Sequence, residues 1–203
     1  MKLFNKIFSK FNRKPKHIEI IKKLLVSMGE SIIEDDFIEI TNYPFEPSIA
    51  YRQTHFSAKE IRNIDYKSYP PTIQIDNELI FLSAEKRTEL EIFAQNNDMK
   101  LIERQDIWGW ILEPFLDTEF ADDENTHLMK LLNEYGLTEN MVSEIRNKVG
   151  PQMIKYNFDT MLWEWVNLGA SDVLRAMRLK LDKSDFRDFY KQVMEIALLD
   201  KKE

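Results

Sequence analysis

The chain of 203 residues has no cysteine. That excludes disulfides, thiolate nucleophiles, zinc–thiolate sites and iron–sulfur clusters, and it suits a reducing compartment. Glycine is scarce, at five. Gly29, Gly136, Gly150 and Gly169 fall just past expected helix ends, and Gly109 stands alone between Trp108 and Trp110. Walker and Rossmann phosphate loops need several glycines in one place, so such sites are close to excluded. No serine is flanked by the glycines of a nucleophile elbow. No apolar run approaches the ~20 residues that span a bilayer. The first residues are broken too often by lysine to form a signal-peptide core. The expected location is the cytoplasm, including the inner face of the membrane.

Positive charge is missing from one stretch. Between Gln105 and Met129 there is no Lys or Arg, whereas Asp106, Glu113, Asp117, Glu119, Asp122, Asp123 and Glu124 alternate with Trp108, Trp110, Phe115 and Phe120. Rings in such a segment anchor it while its carboxylates stay in water. Trp108–Phe115 is expected to close a seam between the two halves of the chain. Asp117, Glu119, Asp122, Asp123 and Glu124 are the expected partner-facing acids.

What is present is charge separated along the chain. Residues 1–23 carry a net +7 and the remainder −14. An acidic body repels nucleic-acid phosphates, so no nucleic-acid partner is expected. Residues 1–16 form a basic amphipathic segment in which Leu3, Phe4, Ile7, Phe8 and Phe11 share one helix face, with Lys2, Lys6 and Lys10 around it. Such a segment can dock on the acidic body, stay disordered, or lie in a membrane interface through Phe4, Ile7, Phe8, Phe11, Lys6 and Lys10.

Three- and four-residue apolar spacing predicts a helix over 17–28, ended by Gly29 in a left-handed turn. Strand and turn texture follows to Leu82. Phe37–Ile40 reads as a strand, Ile49–Phe56 and Ile61–Tyr66 as imperfect strands, and Thr72–Leu82 as a hairpin turning at Asp76-Asn77. Ser83 starts a helix burying Leu90, Phe93 and Ala94, and Met99–Ile102 reads as a further short strand. Helices are expected over Trp108–Leu116, Asp123–Tyr135, Glu139–Val149, Pro151–Leu168, Asp172–Leu179 and Lys183–Leu199. Gly150-Pro151 reads as a stop-then-start pair, and Ser171 and Asp182 as N-caps. The fold class is therefore α+β: a small antiparallel sheet with packed helices over 17–104, and an all-helical half over 105–203.

Chemistry is thinly signalled. His17, His55 and His127 are far apart in sequence. Glu124-Asn-Thr-His127 has the spacing of a di-metal bundle ligand pair, but a second such pair is absent. The acids near 117–124 lack the glycine and terminal glutamate of an EF-hand. Trp163-Glu-Trp165 and Trp108-Gly-Trp110 read first as core rings. No cofactor and no metal are expected.

These residues favour a non-catalytic protein-binding module with an acidic face. The most concrete form is an immunity-type inhibitor of a basic partner such as a nuclease toxin, captured by electrostatic steering. High Lys, Ile and Asn with low Gly and Ala give the composition a bacterial cast. Two alternatives stand beside it: a peripheral membrane protein held by residues 1–14, and an enzyme with a carboxylate or metal-assisted site near His127.

Overall fold

The computed structural model describes residues 26–116, 122–160 and 167–202, with all side chains there except those of 122–124 and 158–160. The basic segment 1–16, most of the expected helix 17–28, and Trp163 and Trp165 lie outside the described residues. The architecture is α+β, with two antiparallel three-stranded sheets in the N-terminal half and a mostly helical C-terminal half.

The first sheet joins β1 (Glu30–Ile33), β2 (Phe37–Thr41) and β3 (His55–Ser57) in that order. Pairing sets Ile33 opposite Ile38 and Ile38 opposite Phe56. Period-two alternation puts Ile38, Ile40 and Phe56 in the core while Phe37 and Glu39 face outward. Val26–Gly29 is irregular, so the expected helix 17–28 does not reach Met28. Gly29 has φ of +80° as expected, but it opens β1, where a Cβ would stand 2.3 Å from the Thr41 carbonyl oxygen.

Ile49–Phe56 is only in part a strand. Ile49–Arg52 forms the one-turn helix α1, and the strand is confined to β3. A local Ser48 cap is reinforced there by a distant carboxylate. Ser48 accepts from the Ala50 N–H at 3.1 Å, and the Glu78 carboxylate accepts from the Ile49 N–H at 3.1 Å and from the Ser48 hydroxyl. No local sequence signal carries that contact.

The second sheet contains β4 (Asn63–Asp65), β5 (Thr72–Ile75) and β6 (Glu78–Phe81). The β5–β6 hairpin turns at Asp76-Asn77, with Asp76 at φ +48°. Ile64, Ile73 and Ile80 are fully buried. The polar residues Asn63 and Gln74 are buried too, and they are satisfied by each other at 2.7 Å and by the Arg104 guanidinium at 3.1 and 3.0 Å. The expected strand 99–102 reduces to a single parallel bridge from Leu101 to Ile64.

Helix α2 (Arg87–Asn96) follows a 3₁₀ turn at Ala84–Lys86 and buries Leu90, Phe93 and Ala94. Then come α3 (Ile107–Leu112), a 3₁₀ turn at Glu113–Phe115 around Pro114, α4 (Asp122–Glu134), α5 (Glu139–Thr160), α6 (Ala170–Arg178) and α7 (Lys183–Ala197). Gly150-Pro151 does not divide two helices: α5 runs through it unbroken. Pro151 removes one internal hydrogen bond. Gly150 makes room for the Phe115 ring, 2.9 Å from where a Cβ would lie. Helix α6 is capped by Gly169 rather than Ser171, through a bond from its N–H to the Asp172 carboxylate at 3.0 Å.

The two halves meet through α7. Phe186 and Tyr190 pack on Phe45, the Tyr190 hydroxyl donates to Glu78 at 2.6 Å, and the Leu79 N–H points at the Met194 sulfur at 3.4 Å. The expected seam of Trp108, Trp110 and Phe115 is redistributed. Trp110 packs on Tyr135 and Phe115 lies against α5, both inside the helical half. Trp108 is 1% exposed, with its indole N–H on the Val193 carbonyl at 3.0 Å. Of the three rings, it alone also lines the cleft shared with the sheet half.

Candidate functional site

The sequence-selected residues divide sharply. Asp117 and Glu119 lie outside the described residues, as do Phe4, Lys6, Ile7, Phe8, Lys10 and Phe11. Asp122, Asp123 and Glu124 open helix α4, with side chains outside the description. His127 is exposed on the same helix, and His55 stacks on Phe37 with centroids 4.2 Å apart. Among the described residues no group of three or more His, Cys, Asp or Glu could hold a metal ion. Among them, too, no helix is long and apolar enough to cross a membrane.

A second base-free stretch escaped notice in the sequence. No Lys or Arg occurs between Lys23 and Arg52, while Glu30, Glu34, Asp35, Asp36, Glu39 and Glu46 do. The fold makes Glu30–Thr41, which holds five of those six acids, the β1–β2 hairpin at the edge of the first sheet. Glu30, Glu34, Asp35 and Asp36 are exposed there, and Ile32 is 53% exposed opposite Glu39. Searching the whole chain for segments without bases would have found it.

The helical half and the second sheet also enclose a cleft of about 240 Å³ that includes Asp65, Tyr69, Asp106, Trp108, Gly169 and Ser171. Tyr69, Pro70, Asn167 and Ser171 separate it from a wider cleft of about 820 Å³ that reaches β1 and Arg175. Tyr69 is 72% exposed, and the Arg87 guanidinium sits 5.8 Å from the centre of its ring.

The cleft's two carboxylates have different duties. Asp65 is buried, and both its oxygens have donors: it accepts from the Lys67, Ser68 and Arg104 N–H groups at 3.2, 2.9 and 2.8 Å. Asp106 is the N-cap of α3, with Oδ1 on the Gly109 N–H at 2.9 Å. Among the described residues no donor reaches its Oδ2. Asp106 is an exposed residue, although the Gly109 and Gly169 backbones crowd its carboxylate. Burial raises its pKa above the ordinary aspartate value, the Gly109 bond opposes this, and the Asp172 charge adds to it.

The neighbouring Asp172 is held by the Tyr156 hydroxyl at 3.1 Å, the Gly169 N–H at 3.0 Å and Arg175 at 3.4 Å. Burial, and then the Asp172 charge, push the Tyr156 hydroxyl pKa up, so Tyr156 stays neutral and donates. Ser171 is 1% exposed, and among the described residues its Oγ has no partner.

No family model, curated protein or solved structure matches the chain. The site's chemistry therefore rests on its own geometry. Asp106 has one oxygen available to a donor, and Ser171 is not paired with a base. The sequence drew attention to Asp106 only as one acid among seven. Its place between two glycines, Gly109 and Gly169, required the fold.

Proposed function

We propose that this chain is a non-catalytic binding module that captures a basic protein through its acidic surface. The observation that carries the reading is the β1–β2 hairpin, which exposes Glu30, Glu34, Asp35 and Asp36 together with Ile32 and has no base in the segment. An apolar anchor within like charges suits a partner of opposite charge: the acids steer it in and the side chain is buried on contact. The acids at Asp117, Glu119, Asp122, Asp123 and Glu124 extend the same bias in sequence. A cytoplasmic immunity-type inhibitor, covering the basic cleft of a nuclease toxin, is the most concrete form.

The test starts from affinity capture in the native cell, followed by measured binding to the captured protein. Charge reversal at Glu34, Asp35 and Asp36, and separately at Asp122, Asp123 and Glu124, is expected to slow association and flatten its salt dependence. Unchanged affinity and unchanged salt slope in both variants overturn the reading.

A further inference from the structure

We infer that the cleft at Asp106 receives the guanidinium of an arginine side chain carried by the basic partner, an inference that rests on the function proposed above. Asp106 supplies the acceptor. Its Oδ1 is held by Gly109, which fixes the carboxylate plane, and its Oδ2 takes no donor among the described residues. The other charged groups of the cleft have partners of their own. Both oxygens of Asp65 accept from backbone donors, and Nη2 of Arg104 donates to Asn63 and Gln74. Among the described residues of the cleft, Asp106 is the carboxylate with an oxygen that takes no donor.

The rest of the lining suits an arginine stem and head. Pro70, Leu79, Phe81 and Trp108 supply apolar wall for methylene groups. At the mouth stands Tyr69, largely exposed, with Arg87 already near one face of its ring. A planar guanidinium stacks on such a ring and forks onto a carboxylate, which an ammonium does less well. A cleft of about 240 Å³ holds one such side chain rather than a peptide. Capping alone does not call for the charge, because asparagine caps a helix as well as aspartate does.

The probe is N-acetyl-arginine methylamide, titrated into the ¹⁵N-labelled full chain, with the citrulline analogue as an uncharged isostere. Saturable shifts of the Gly109 amide and Trp108 indole signals are expected with arginine. The citrulline analogue and the Asp106→Asn variant are each expected to weaken binding by at least about tenfold. Ser171→Ala, which keeps Asp106, is expected to weaken it less. Equal binding of the two analogues, or undiminished binding by Asp106→Asn, overturns the cleft assignment and leaves the acidic-hairpin reading intact. Loss of arginine-amide binding with partner affinity unaltered in Asp106→Asn overturns the assignment of the arginine to the partner. Charge reversals that spare partner binding sink the hairpin reading alone.

Discussion

The carboxylate of Asp106 lies against the Cα of Gly169, so close that a Cβ on Gly169 would stand 3.2 Å from Oδ2. Residues more than sixty positions apart thereby join the start of α3 to the start of α6. The Gly109 N–H, at the start of α3, donates to that carboxylate.

Gly169→Ala is therefore expected to displace Asp106 by a few tenths of an ångström. Gly169 sits at φ −132°, so no backbone strain is added. The expected cost is about 1 kcal/mol of stability, together with weaker arginine-amide binding. Urea denaturation and the same NMR titration read both, and an unaltered titration contradicts the close contact.

Asp106→Asn has a pH signature. Burial makes the folded protein hold the Asp106 proton more tightly than the unfolded chain does. The stability linked to that proton is fully present below the ordinary aspartate value of 3.8 and is lost as pH rises through the raised value. Asparagine keeps the cap and removes the titration. The variant should gain on the wild type as pH rises from the ordinary aspartate value through the raised one, in a series of urea melts. A constant difference across that range contradicts the burial of the charge.

Gly150→Ala tests why α5 passes through Gly150-Pro151. Alanine in a helix is favoured over glycine by about 1 kcal/mol. Its Cβ would meet the Phe115 ring at 2.9 and 3.0 Å, and overpacking costs about 1–3 kcal/mol. A net loss of stability is expected. A gain would show that the glycine is not set by Phe115.

Sequence reasoning reached the elements whose determinants are local. The β5–β6 hairpin was legible from alternation and from Asp76-Asn77, residues that tolerate positive φ. Helix α7 was legible from its stripe and from Asp182, whose side chain caps the Asp185 N–H at 2.9 Å. What escaped depends on distant partners. The start of helix α1 is reinforced by Glu78, which reaches back to Ile49 and Ser48, and Gly150 serves Phe115 from another element. The cleft was illegible for the same reason, since Asp65, Tyr69, Asp106 and Ser171 come together only through the fold. The acidic hairpin was legible in principle, because absence of lysine and arginine is a property of the sequence alone.

Tyr190→Phe probes the join between the halves. The lost hydroxyl leaves Glu78 with one donor fewer where it also holds the start of α1. Removing a hydrogen bond to a charged acceptor costs about 1.5–3 kcal/mol. A calorimetric melt should show that loss as a lower Tm, and no change would mean that Glu78 is not a structural hub.

The most direct test of a binding module with an acidic hairpin is hydrogen exchange on the complex with the captured partner, compared with the free chain. Slower exchange is expected across Glu30–Thr41, and also near Asp106–Gly109, where the arginine side chain would enter. Exchange in Glu30–Thr41 unchanged by a saturating partner would contradict the account.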